Sequence, residues 1–383
     1  MTPMRLNPVL DELGTYPLEE IKSRARTLAA NGVDVIDFSI GDPREETPLF
    51  IRDTIRAAIP AVSQYPTAVG LPELRGAIAD YLGRRFDVDV DPASQVIPTS
   101  GSKESIFNTP FAFVQPGDSV AYGTPGYPVY ERGSRFAGAS VDPIVLSGDF
   151  VLRAGDVPDE VWNRARMLWT CSPHNPTGAI ASRQDLVDLV NRSRESDTLL
   201  CADECYVDVY EDEPPSSTLQ VAGPDFEGVL AYFSCSKRSG MTGYRSGAIV
   251  GDARAIAALG RLRSTTGTAS PEFVQLAAAA AWSDDEHAAE RREIFAAKRA
   301  VLRPAFEEIG IPTVASRAGL YLWLQVQDDL AVTHALLDGG VVVSPGRAFG
   351  PGGEGFIRLA LVPTIEQCEQ AVEVVQKCLR TIS

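Results

Sequence analysis

Lys237 stands where a catalytic amine belongs. It closes the run Ser234-Cys235-Ser236-Lys237 after the apolar stretch VLAYF, and Arg245 follows eight residues later in GYRSG. A lysine at the end of a buried strand is desolvated, which lowers its pKa and suits it to Schiff-base chemistry. Arg245 offers a planar fork to a phosphate. The chain has five lysines (22, 103, 237, 298 and 377) against thirty arginines, so the choice of amine is short. Alone, an SxSK run is a weak signal.

Four more motifs each follow an apolar, strand-like run. Gly101-Ser102-Lys103 opens a helical pattern, where backbone N–H groups and a hydroxyl can cradle a phosphate or simply form a capped glycine turn. Tyr127, in Pro125-Gly126-Tyr127, can stack on a flat heterocycle or pack on the core. Asn175 lies between two prolines in SPHNPTG, which aim its amide at one place, although NPTG by itself is a turn. His174 in the same loop reads as a neighbour of the site, not a general base. Asp203 ends the apolar run LLCA, and a buried acid is costly unless it meets a cation. A protonated pyridine nitrogen is such a cation, and Tyr206 could donate to the ring's phenolic oxygen. A metal ligand or a helix cap is the plainer alternative for Asp203.

These motifs need a scaffold of strand ends. Candidate strands are 95–99, 119–122, 141–146, 167–170, 199–202, 229–233 and 248–250, with helical patterns at 103–114, 129–136, 185–195 and 252–262. Such alternation predicts a mostly parallel seven-stranded sheet covered by helices on both faces. In open sheets of this kind, ligands gather at the carboxyl ends of the strands. A helix is also expected over 71–86, with Pro72 at its start. A long helix over 284–309 leads into a tail with strands at 320–326, 341–344 and 356–361 and a last helix from 365 to about 380. The expected organisation is a large domain, 48–275, and a smaller discontinuous α+β domain, 1–47 and 276–383.

Bulk properties narrow the function. With 44% hydrophobic and 22% charged residues the chain reads as a soluble globular protein. The net charge of −16 repels nucleic acid and anionic membranes. The first residues lack an apolar signal core, so the expected compartment is the cytosol. Six cysteines without CxxC spacing read as buried thiols, and three histidines argue against metal chemistry. No metal is expected.

At successive strand ends, in this order, the five motifs resemble the fold-type I pyridoxal-phosphate (PLP) enzymes, class I and II aminotransferases. The resemblance runs from Gly41-Asp42-Pro43 through Arg358. It implies that Lys237 binds PLP and shuttles the proton, that Asp203 pairs with the pyridine nitrogen, and that Tyr206 and Asn175 bond the 3′-oxygen. It further implies that Tyr127 stacks on the ring, and that Gly101, Ser102, Lys103, Ser234 and Arg245 surround the phosphate. Tyr65, in YPTAVGLPELR, matches a tyrosine that reaches the partner subunit's phosphate, so a homodimer is implied. Arg358, in FIRLA, matches the arginine that grips the substrate α-carboxylate, with Gly41 a backbone donor and Asn175 beside it.

Within the family, GDPREETP, DECYVDVYEDEPP, SKRSGMTGYRSG and AGLYLW are similar to N-succinyldiaminopimelate aminotransferases. That similarity implies glutamate and N-succinyl-2-amino-6-oxopimelate as the substrate pair. Two departures bear on it: Thr266 precedes Gly267 where a histidine is expected, and Cys171 stands where an asparagine is common. The rival expectation is an enzyme of specialised metabolism that uses the same stabilised carbanion for β/γ-elimination, replacement or ring formation. A regulator built on this fold would need a basic DNA-binding module, which this acidic chain does not show. Arg44 and Arg347 are the loop arginines expected to be worth testing for a distal carboxylate.

Overall fold

The computed structural model describes residues 4–12 and 19–379. Its strands are β1 (Ile36–Asp37), β2 (Val96–Thr99), β3 (Ser119–Thr124), β4 (Ser140–Val145), β5 (Ala165–Cys171) and β6 (Leu199–Asp203). They continue with β7 (Val229–Ser234), β8 (Gly247–Gly251), β9 (Tyr321–Gln325), β10 (Val341–Val342), β11 (Ser344–Pro345) and β12 (Phe356–Ala360). Seven of them form one sheet in the order β2-β8-β7-β6-β5-β3-β4. Neighbours run parallel except around β8, which is antiparallel to β2 and to β7. Every residue of β3, β7 and β8 is buried. Helices cover both faces, which is why these strands are continuous apolar runs without alternation.

Helix ends follow local chemistry. Pro72 begins the helix Pro72–Phe86, and Asp87 ends it in the left-handed region at φ 54°. Ser182 caps Arg183–Glu195 by accepting from Asp185 N, and Asp185 accepts in return from Ser182 N. The helix expected over 103–114 is two helices, Ser102–Asn108 and Pro110–Phe113. Pro110 has no N–H to continue the first ladder.

The tail builds a second layer. β12 pairs antiparallel with β9 and β11, and β1 pairs parallel with β10. Ile36 and Phe38 pack among Leu322, Leu324, Ile357 and Leu359, so the chain before the large sheet returns to this layer. The long helix Glu286–Glu307 also serves it, through Phe295, Leu302 and Phe306. The last helix runs Ile365–Leu379, and the rest of its expected span lies outside the described residues.

The expected division at 275/276 falls inside the helix Glu272–Trp282. That helix packs on Leu49–Ala58 and Pro72–Phe86. Its Ala277, Ala278, Ala281 and Trp282 sit in the core beside the large sheet. Among the described residues, no helix is long and apolar enough to cross a membrane.

Candidate active site

Five strand ends meet the N-terminal segment and the tail around one cavity of about 790 Å³. Ser102 and Lys103 reach it after β2, Tyr127 after β3, Asn175 after β5, Asp203 and Tyr206 from the end of β6, and Ser234 and Lys237 from β7. Arg245 enters just before β8, Gly41 from the N-terminal segment and Arg358 from β12. Of the cofactor and substrate residues expected from the sequence, Gly101 and Tyr65 do not line it, and neither does His174.

Lys237 follows the buried run of β7 on a single helical turn, Cys235–Arg238. Its Nζ donates to the carbonyl oxygen of Gly41. Burial, opposed by Asp42, lowers its pKa to about 8. Gly41 has no room for a side chain, because a Cβ there would stand 2.5 Å from the Tyr321 hydroxyl.

Asp203 is buried at the end of β6. Tyr130 donates its hydroxyl to Oδ2 at 2.7 Å and Cys205 N donates to Oδ1 at 3.2 Å. Burial raises the Asp203 pKa above the usual carboxylate value, and hydrogen bonds from Tyr130 and Cys205 oppose the rise. Next to it, burial lifts Glu204 to about 7 while Thr218 N donates to its carboxylate at 2.7 Å.

Arg358 also lines the cavity and is 6% exposed. Its Nη1 donates to Asn175 Oδ1 at 3.1 Å and its Nη2 to Ser39 O at 2.7 Å. The guanidinium lies 4.4 Å from the ring centres of both Tyr321 and Phe349. Asn175 Nδ2 donates to the Tyr206 hydroxyl at 3.3 Å, which in turn lies 3.0 Å from the Tyr321 hydroxyl. Polar contacts thus run unbroken from Arg358 to Tyr206.

Gly101 adopts φ +81°, and an added Cβ would run into the Arg245 guanidinium, so the glycine lets that side chain lie across it. Arg245 itself has φ 59° and donates Nη1 to Thr242 O at 2.8 Å. Tyr65 is fully exposed. Burial depresses the His174 pKa to about 4, and its Nδ1 faces Thr177 Oγ1 at 2.8 Å, a partner within its own loop.

These groups fit PLP. Asp203 is a buried acid with no ion pair among the described residues, as a partner of a pyridinium should be. Among the described residues, Arg358 is a buried cation without an ion pair, and its Nε has no hydrogen-bond partner. Lys237 lines the same cavity with a depressed pKa.

Sequence reasoning missed Tyr321, Phe349 and Tyr130. Tyr321 lay in view within LYLWLQV, but its apolar neighbours made it indistinguishable from a core residue. Tyr130 follows Tyr127 by three residues, and that spacing alone carries no signal of a bond to Asp203.

Residues 33–375 match the family described as aminotransferase class I and II. The chain belongs to that family. Like the other class I and II aminotransferases it depends on PLP, and its mostly parallel α/β sheet is the fold-type I scaffold. It is 37% identical over 384 residues to an LL-diaminopimelate aminotransferase of Nitratidesulfovibrio vulgaris, covering 96% of this chain and 98% of the relative. A probable N-succinyldiaminopimelate aminotransferase from Thermus thermophilus superposes with a TM-score of 0.89 at 28% identity, covering 94% and 99% of the two chains. An aspartate aminotransferase from Thermus thermophilus with maleate gives 0.90 at 27%, covering 98% and 100%.

In this aminotransferase the two sequence departures lie off the cavity wall. Thr266 ends the helix Ala253–Thr266, its hydroxyl bonded to Arg263 O and Thr268 Oγ1. Cys171 turns its thiol to Pro173 O at 3.3 Å. Arg44 and Arg347 do not line the cavity either. Arg347 is committed to buried Asp329 at 2.6 Å. The basic side chains that do line it, besides those described, are Lys22 and Lys103.

Proposed function

We propose that this aminotransferase exchanges an amino group between glutamate and an oxo acid with a long, acidic distal end, built on the diaminopimelate skeleton. N-succinyl-2-amino-6-oxopimelate is the acceptor suggested by the sequence motifs. The names of the LL-diaminopimelate relatives favour the unacylated compound as the second reading. The observation that carries the proposal is the convergence of Lys237, Asp203 and Arg358 on one cavity.

Bound PLP supplies an electron sink for the pair left when a substrate Cα–H bond breaks. Each protein group then has a separate task. Arg358, presented by Asn175 and Ser39 O, takes the substrate α-carboxylate, which ends the cost of a buried unpaired cation. Gripping that carboxylate fixes the direction of the Cα–H bond. Lys237 would hold the cofactor through its amine, and with a pKa near 8 its Nζ is in part neutral at neutral pH and would serve as the base for the Cα proton. Asp203 would favour a positive charge on the ring nitrogen. Tyr206 and Asn175 would hold the ring oxygen, Tyr127 would pack on the ring, and Ser102, Lys103, Ser234 and Arg245 would hold the phosphate.

The test is a half-reaction screen of the PLP-loaded protein against glutamate, LL-diaminopimelate, its N-succinyl derivative and norvaline. Glutamate and one of the two diaminopimelates should discharge the absorbance of lysine-bound cofactor, and norvaline should not. A site that hydrogen-bonds its substrate rejects an analogue lacking the group far more strongly than an apolar pocket rejects a missing methylene. No response to glutamate would remove this donor assignment. Loss of a side-chain group from another amino acid would favour the elimination chemistry instead.

A further inference from the structure

Asp203 is held from outside its own strand by a residue the reaction has not yet used. Tyr130 is the second residue of the helix Val129–Phe136, which starts two positions after Tyr127. It is 2% exposed, its ring lies on Trp169 with centroids 5.1 Å apart and planes at 12°, and it meets Tyr127 edge-on at 5.7 Å. Its hydroxyl bond to Asp203 Oδ2, at 2.7 Å, is shorter than the one from Cys205 N, at 3.2 Å. One fixed side chain therefore touches both the acid and the aromatic ring that the proposed function sets against the cofactor.

We propose that Tyr130 is a positioning residue for the cofactor ring, holding Asp203 charged and aligned while bracing Tyr127. The inference rests on the roles proposed above for Asp203 and Tyr127.

The surroundings explain why such a residue is needed. Among the described residues, the titratable groups packed closely on Asp203 include Tyr130, Cys171 from β5, Tyr232 from β7, Tyr321 from β9, and Glu204, Cys205 and Tyr206 on its own turn, while the cations Lys237, Lys103, Arg245 and Arg358 line the same cavity without an ion pair to it. The closely packed groups named are all acids, and none of those supplies a positive charge. Burial meanwhile favours the neutral carboxyl. Hydrogen bonds to the charged form are the remaining protein device against protonation, and bonds to an ionised acceptor are the strong ones. Burial and Asp203 itself push the ionisation of Tyr130 well above 10, so it remains a donor throughout the working range. The Cys171 thiol also lies against this phenol and has Pro173 O as its acceptor at 3.3 Å.

The experiment compares Tyr130→Phe with Asp203→Ala and the parent, all as PLP-loaded protein. Phenylalanine keeps the ring on Trp169 and deletes one oxygen. Three quantities are read: the cofactor dissociation constant, the acid midpoint below which cofactor is released, and kcat and KM separately. Losing the bond raises the Asp203 pKa, so the acid midpoint of Tyr130→Phe should move up by about one to two pH units. The cofactor should bind about tenfold more weakly, and kcat should fall with KM for glutamate little changed. A variant that is merely less stable, with parental acid midpoint and cofactor affinity, overturns the inference. If Asp203→Ala is impaired and Tyr130→Phe is not, Tyr130 alone loses its role. If Asp203→Ala is itself parental, the reading of Asp203 fails and the inference falls with it.

Discussion

Lys237 differs from the other lysines in what surrounds its amine. Lys298 is the more deeply buried but is paired with Glu45 and with the carbonyls of Leu361 and Val362. Lys237 has a carbonyl partner and a depressed pKa. Borohydride reduction of the loaded protein followed by peptide mapping should therefore label Lys237 and leave Lys103 and Lys298 unmodified. Only a neutral amine attacks an aldehyde. The rate at which cofactor-free protein takes up PLP should accordingly rise with pH and level off above about 8, where an ordinary lysine would still be climbing. For Asp203, removal of the carboxylate should leave a folded protein. Its turnover should fall by about 10²–10³, the usual size of a lost electrostatic contact at a reacting centre. Turnover near the parental rate would exclude Asp203 as the partner of a ring cation.

The elements that carry these residues were legible to different depths. The central strands of the large sheet were visible because burial on both faces writes an uninterrupted apolar run, as in VLAYF, whereas the edge strand β4 is mostly exposed and was legible from its β-branched residues. The helix after β2 was misjudged in length because its apolar spacing continues across Pro110, where hydrogen bonding cannot. The placement of Tyr321 and Phe349 around Arg358 was hidden, since contacts between distant segments leave no local pattern. So was the anchoring of the lysine turn. Arg238, the next residue, is 3% exposed and pairs with Asp208 at 2.9 Å and Asp285 at 2.5 Å, and it donates to Ala281 O at 2.7 Å. It thereby ties the turn of Lys237 to that of Asp203 and Tyr206. Arg238→Met should cost about 1–3 kcal/mol, because buried Asp208 loses its nearest cation and keeps Arg85, at 3.2 Å, and the Tyr81 hydroxyl. Arg56→Met, which breaks the exposed pair with Asp53, should cost less than about 1 kcal/mol. Urea melts of the two variants give the comparison, and equal costs would show that the buried pair contributes no more than a surface one.

At the scale of the whole molecule, the surface from 49 to 69 exposes Leu49, Phe50, Ile59, Val62, Tyr65 and Val69. A run of that kind suits contact with a second copy of the chain. We propose a homodimer in which Tyr65 completes the neighbour's phosphate site. Sedimentation at assay concentration should give the dimer mass. Mixing Tyr65→Phe with Lys237→Ala chains should then yield hybrids more active than either parent, because one site in each hybrid keeps both residues. Without such a gain, Tyr65 does not act across the interface. The reversed direction of β8 has a consequence of another kind. Because β8 runs back beside β7, the chain leaves Lys237 and delivers Arg245 without crossing the sheet, and the two stay within reach of one ligand. Seven intervening residues are thus a measured leash: an insertion there would drag apart the two ends of the cofactor's grip. The turn at the other end of β8 lies off the cavity but offers no slack either: Gly251 has no room for a side chain and buried Asp252 accepts from Gly228 N, so both ends of the strand are fixed in length.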